Sequence, residues 1–318
     1  MGVVARWLPL VASCLLATAC SMASIGYEFF PSAALWQLES YLPLEPDQRS
    51  IASRRLGDLH RWHRQKELPA YVEFVRSQRQ QSLTLSNSEQ ALKVRRWIVG
   101  RWQPVGENLA PGMAELLVTL TPAQVEKLKE QFAKANRKLR NEYLPSASSG
   151  WFGRRDAEAA AGASGSDPLR QQAMTKARRE ARQEARASRI QKRIEYFLGD
   201  LGPEQERLLR KLSDEQPENE EVYFAEREAR QQRFLALVHE LTKAPVSQTE
   251  AERLCKSFLA GLWVSQDATR QARIDQTSAL NDQLTVQMLL SASPGQQQHF
   301  IERLQNWEKD FVRMARLD

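Results

Sequence analysis

Residues 293–316 read SPGQQQHFIERLQNWEKDFVRMAR, and in them Phe300, Leu304, Trp307, Phe311 and Met314 fall at steps of four, three, four and three. That spacing puts five apolar side chains on one stripe of a helix, with charged residues between them. Residues 121–143 repeat the pattern with Val125, Leu128, Phe132, Leu139 and Tyr143. Working outward, similar periodicity predicts helices over 33–42, 46–67, 69–82, 87–102, 170–199, 203–213, 218–242, 247–264 and 266–290. Glycine and β-branched residues are sparse, and no alternation of apolar and polar residues lasts long enough for a strand. The fold class expected is all-α, an elongated multi-helix bundle of antiparallel helical hairpins.

A short signature recurs where helices begin: Leu44-Glu45-Pro46-Asp47-Gln48, Leu120-Thr121-Pro122-Ala123-Gln124 and Leu201-Gly202-Pro203-Glu204-Gln205. Ala292-Ser293-Pro294-Gly295-Gln296 is a degenerate copy. Its chemistry is local. Thr121 or Ser293 suits the N-cap, proline suits the first helical position, and glutamine reaches back as in a capping box. Leu120 is placed to staple against Val125. The glutamines lie 76, 81 and 91 residues apart, a hint of internal duplication. Between Pro145 and Asp167 the chain reads PSASSGWFGRRDAEAAAGASGSD, with no apolar period, and is expected to be a flexible linker. It divides the chain into two similar helical halves, 20–144 and 168–318.

Residues 1–19 have the form of a signal peptide. Arg6 is followed by an uncharged run from Trp7 to Ala19, shorter than the ~20 residues a membrane span needs. The run ends Leu16-Ala17-Thr18-Ala19-Cys20, the shape of a lipobox, so Cys20 is the expected lipidation (palmitate) site. Val11-Ala12-Ser13-Cys14 also fits but leaves a minimal apolar core. No aspartate follows Cys20, which points to the outer membrane with the domain facing the periplasm. Cys255 then remains without a disulfide partner and reads as a buried, inert thiol on an apolar stripe.

The net charge of +6 is concentrated in one place. Residues 170–193 hold nine Lys/Arg against Glu180 and Glu184. Arg178, Arg182, Arg186, Arg189 and Arg193 line one face of a predicted helix, and Ala173, Ala177, Ala181 and Ala185 form a small-residue row beside it. Two readings fit the arginine row: an anion-binding face for lipid headgroups or envelope polymers, or a solvated helix face. Export excludes nucleic acid as the partner of choice.

The string His60-Arg61-Trp62-His63-Arg64-Gln65-Lys66-Glu67-Leu68-Pro69-Ala70-Tyr71 resembles the WHRxxELPxY signature of an uncharacterised family of Gram-negative lipoproteins. The likeness extends to Tyr27, Trp36 and Tyr41, to the helix starts at 44–48 and 120–124, and to 197–205. It implies a lipidated helical protein and carries no assigned activity. Within it Trp62, His63, Glu67 and Pro69 read as a structural motif, as do Leu120, Thr121 and Gln124. The Leu-Thr-Pro-Ala-Gln string at 120–124 also resembles the LTxxQ motif of Spy-type periplasmic chaperones, which implies binding of unfolded clients.

Reactive chemistry is not spelled out. His60, His63 and Glu67 share helical spacing, but they lack the H-E-x-x-H arrangement, so no metal is expected. No G-x-S-x-G elbow, phosphate-cradling glycine loop or cofactor motif is present. The expectation is a non-enzymatic envelope lipoprotein with a periplasmic binding or chaperone-like domain. It would be anchored to the membrane by its lipid and would take unfolded clients or an anionic surface as partner. The alternative is a structural adaptor that docks one dedicated envelope partner.

Overall fold

A computed structural model describes residues 24–81, 88–143, 168–217 and 219–316. The expected signal peptide, Cys20 and the stretch 145–167 lie outside the described residues. Among those described, every regular element is helical, and the chain is an all-α protein. A helical turn over 24–28 leads into α1 (Phe30–Tyr41), α2 (Pro46–Trp62), a π-helical turn (His63–Glu67) and α3 (Leu68–Gln81). There follow α4 (Ser88–Gly100), α5 (Trp102–Leu117), α6 (Pro122–Tyr143), α7 (Pro168–Leu198) and α8 (Pro203–Asp214). The last four are α9 (Glu220–Thr242), α10 (Gln248–Ala260), α11 (Ala268–Leu290) and α12 (Pro294–Arg316).

The four recurrent glutamines each form the capping bond expected of them. Gln48, Gln124, Gln205 and Gln296 accept through Oε1 from the backbone N–H groups of Glu45, Thr121, Gly202 and Ser293, each at 3.0 Å. They also do something the local pattern does not reveal, which is to pair. The amides of Gln48 and Gln124 bond reciprocally at 3.1 and 2.6 Å, and each Nε2 reaches a carbonyl just before the other's helix, Thr119 O and Pro43 O. Gln205 and Gln296 repeat the arrangement, at 3.0 and 2.9 Å, with Ser291 O and Asp200 O. Two helix starts are thereby locked head to head, twice in one chain. Three of the four glutamines are buried, so these bonds hold backbone carbonyls that would otherwise lose water without replacement.

One helix escapes the sequence pattern. Residues 103–117 fall in none of the helices that the periodicity predicts, yet 102–117, WQPVGENLAPGMAELL, form α5, with Pro111 inside it. Proline and glycine lower helix propensity, yet here packing overrides it. Ala110 and Ala114 are fully buried. A Cβ at Gly112 would sit 2.7 Å from Arg55 Cβ, and one at Gly106 would sit 3.3 Å from Leu259 Cβ. The small residues are what let α2 and α10 approach α5 this closely.

The division at 145–167 does not separate two cores. One core joins Leu42, Ala110, Ala114, Leu117 and Leu120 to Leu237, Val238, Leu241, Ala251 and Cys255. A second gathers Ala187, Leu198, Leu209, Leu212, Leu284 and Met288, with Phe300 against it. The most extensive helix pairs are α3 with α12 and α5 with α10, which are remote in sequence, so neighbouring hairpins are not the main organising unit. Glu308 of α12 bonds Arg76 at 2.7 Å and pairs with Arg79 at 3.0 Å on α3. Leu120 is buried and packs with Val125, as the staple requires.

Replacing Gln124 by Leu is expected to destabilise the fold by about 2 kcal/mol or more, because Pro43 O and the amide of Gln48 lose their partner. The double variant Gln48→Leu/Gln124→Leu should cost clearly less than the sum of the singles. Denaturant unfolding read by circular dichroism checks both; additive costs would show that the two amides act independently.

Candidate functional site

The WHRxxELPxY string folds into a wall. Pro69 cannot donate a backbone hydrogen bond, and its ring would press on the carbonyl four residues earlier. The chain meets this with one π turn over His63–Glu67, closed by Leu68 N–H to His63 O, and α2 runs on into α3 without a break. The widened turn brings His63, Glu67 and Tyr71 toward three other parts of the chain.

Beside this wall lies an aromatic cleft of roughly 550 Å³, within the 300–1,000 Å³ usual for small-ligand sites. Tyr27 and Phe30 close one side, Leu59, His60 and His63 another, and Tyr71, Phe74 and Val75 the base. Trp97, Ile98, Arg101, Trp102 and Val105 come from α4, α5 and their junction, and Trp307 and Phe311 from α12. Phe74 stacks on Trp97 with ring centroids 3.6 Å apart and planes within 3°. Tyr71 meets Trp97 and Phe311 edge-on. At the rim Trp102 and Trp263 lie 4.8 Å apart, both well exposed.

The histidines and phenols of the cleft favour their neutral forms, while Arg101 carries charge beside them. Burial, aided by the neighbouring His60, lowers the pKa of His63 below its ordinary 6.5, and burial also lowers that of His60. Burial pushes the Tyr27 phenol up to about 12 and raises Tyr71. His63 Nδ1 lies 2.9 Å from Tyr27 Oη, and its Nε2 lies 3.4 Å from Tyr71 Oη. A neutral imidazole has one proton for two nitrogens, so one tyrosine donates and the other accepts. Arg64 donates to the Tyr27 oxygen. With either tautomer the trio forms two bonds, and one of the two phenol protons is left without an acceptor within it. Arg64 also pairs with Glu28 and lies over the Tyr27 ring. Glu67 is buried; burial raises its pKa against the opposing charge of Arg101, whose Nε is 3.7 Å away.

The residues singled out by sequence fare differently. Of Trp62, His63, Glu67 and Pro69, His63 lines the cleft; Trp62 lies edge-on to His63, Glu67 is buried beside Arg101, and Pro69 is exposed. Leu120, Thr121 and Gln124 belong to the glutamine lock. Cys255 is fully buried, and burial pushes its thiol up to about 11. Among the described residues no three His, Cys, Asp or Glu side chains converge as metal ligands. The open arginine face requires correction. Arg186 is buried and donates to Gln216 O at 3.0 Å and Pro217 O at 3.1 Å, tying α7 to the end of α8. Arg182 is half-buried; Arg189 and Arg193 are exposed, and the Arg178 side chain lies outside the described residues. Ala181 and Ala185 are exposed and make no close helix seam; the buried alanine of α7 is Ala187.

The cleft itself was missed, since its aromatic residues come from segments up to 280 residues apart. The available signal was Tyr71 inside the motif and the eight tryptophans of the chain. With the fold and cleft in view, the class is that of an all-helical protein with one aromatic ligand-sized cleft. The model of a family of unknown function, DUF6279, matches residues 40–159, which include the motif and the first glutamine pair. No curated protein and no solved structure matches the chain.

Two outcomes follow. Because the folded pKa of His63 lies below its unfolded value, the unfolded chain binds the extra proton first as pH falls. The stability this residue contributes is complete above its ordinary 6.5 and is lost as pH falls through the lower folded value. Glu67, shifted upward, acts in the opposite sense below that window. The melting temperature of His63→Gln should therefore fall less than that of the native chain between about pH 7.5 and 5.5; parallel slopes would contradict the assignment. Separately, Arg186→Ala should cost about 2 kcal/mol by orphaning two carbonyls, whereas Arg193→Ala should cost under about 0.5 kcal/mol. Thermal or denaturant unfolding checks both.

Proposed function

We propose that the protein is a non-enzymatic, lipid-anchored envelope protein that binds an apolar-bodied ligand in the aromatic cleft. The observation that carries this reading is the cleft: a ligand-sized, mainly apolar volume lined by aromatic side chains, with two histidines, two phenols and Arg101 among them. Such a surface removes apolar area from water, and the phenol proton left over beside His63 favours a ligand that also presents a hydrogen-bond acceptor. A hydrolase would need a nucleophile with a base in reach. Here both nitrogens of His63 lie against phenols whose raised pKa values make them poor nucleophiles, and among the described residues no hydroxyl or thiol nucleophile bonds His60. The volume suits one small ligand or one bulky side chain better than a long unfolded client, so the binding reading is preferred to a chaperone-like one. The exposed Trp102 and Trp263 at the rim favour a second reading, an adaptor docking one envelope partner there.

The test is direct binding. An uncharged naphthylamine probe should bind the full chain with increased fluorescence and 1:1 stoichiometry. Val105→Trp, which fills the cleft, should weaken binding at least tenfold while the melting temperature is retained. Unchanged probe affinity in that variant would refute the cleft as the binding site.

A further inference from the structure

The helical segment that closes one side of the cleft has a second face. From Ser24 to Tyr41 the backbone bonds run on through Phe29, with Phe29 N–H to Ile25 O at 3.2 Å and Ala33 N–H to Phe29 O at 2.9 Å. At about 100° per residue, Ile25, Phe29 and Trp36 fall within about 40° of one another around the axis. All three are exposed, Phe29 at 64% and Trp36 at 70%. Ser32, Ala33 and Ser40 flank the row, and Glu39 lies at its edge, about 60° from Trp36. Tyr27 and Phe30, on the other side, line the cleft. A row of large apolar side chains left in water is costly, and its position along the chain places it close to Cys20. Ile25 is five residues after Cys20, so at full extension the two are no more than about 18 Å apart.

We propose that the outer face of this helix, Ile25, Phe29 and Trp36, lies in the interfacial layer of the bilayer that holds the Cys20 lipid, with the helix parallel to the membrane surface. The proposal rests on the lipid-anchor reading. A tryptophan and two apolar neighbours on one helix face are the side chains that partition to the headgroup–acyl boundary. The segment 24–41 holds Glu28 and Glu39 and no Lys or Arg, so contact is driven by apolar area and does not need anionic lipid. The lipid fixes the chain to the membrane. The helix fixes its orientation, and because its inner face is a wall of the cleft, the cleft is held beside the bilayer surface. A ligand with an apolar body would then reach the cleft from the membrane without crossing bulk water.

The experiment uses the full chain exported in its native envelope. Incorporation of labelled palmitate, and its loss in Cys20→Ser, is scored first, so failure of the anchor reading is seen separately. Trp36→Cys and Glu204→Cys are then labelled with an environment-sensitive dye, Cys255 being buried, and reconstituted in phosphatidylcholine vesicles with and without brominated lipid. The dye at position 36 should shift to the blue and be quenched by the brominated lipid, and the dye at 204 should do neither. If the chain proves not to be acylated, the same sites are labelled in a Cys14→Ser/Cys20→Ser background and the chain is added to vesicles from solution. There a shift at 36 supports the membrane face, and Ile25→Ser/Phe29→Ser should weaken it at least tenfold. A dye at 36 that stays water-like on vesicles overturns the proposal in either format. So does a blue shift that grows with protein concentration in the absence of vesicles, which would assign the face to a second copy of the chain.

Discussion

Two pairs of glutamine amides, three of the four side chains buried, hold the helices in register. A glutamine side chain has one acceptor oxygen and two donor hydrogens. In Gln48 and Gln124 the oxygen serves the helix's own first turn and the partner amide, and the nitrogen serves the partner amide and a carbonyl across the junction. The same division of labour recurs in Gln205 and Gln296. An apolar residue at any of these positions would pack without selecting an angle or a depth. The amide pair selects both, since its bonds are satisfied only when the two helix starts meet head to head. The first pair sits where Leu42, Leu117 and Leu120 enter the larger core, and the second where Leu198 and Met288 enter the smaller.

The cleft depends on a different local constraint. Pro69 widens the helix by one turn, and the widened turn carries His63 and Glu67 to face Tyr27, Tyr71 and Arg101. Burial then favours the neutral forms of the histidine and both phenols, so that part of the wall presents hydrogen bonds without charge of its own. The aromatic walls come from elsewhere, from α4, α5 and α12, and share no motif with it.

What could be read in the sequence follows from this geometry. Periodicity is a property of one segment, and it located most helices, the apolar stripe of α12 and the capping role of the glutamines. Helix α5 does not show in the pattern because Pro104, Gly106, Pro111 and Gly112 argue against a helix until the side chains of Arg55 and Leu259 are laid against it. The reciprocal pairing of Gln48 with Gln124 needs knowledge of which helix ends meet, and no local pattern contains that. The row of arginines looked uniform because spacing reports a face and not its neighbours. Only the chain at 216–217 distinguishes Arg186 from Arg193. The cleft is the extreme case, since Tyr27 and Phe311 have nothing in common except their destination.

The packing of α12 on α3 bears on the order in which this molecule comes into being. Arg76 and Glu308 are 232 residues apart along the chain, yet they share an ion pair across the seam of α3 and α12. A polypeptide synthesised N-terminus first would therefore have its motif wall long before it had the helix that completes it. Such remote contacts are slow to close. Until the final segment emerges, Tyr71 and Phe74 remain open to solvent on an unfinished surface. Early termination, even within the last twenty residues, would leave a chain with the glutamine lock between α2 and α6 intact and its cleft without one side.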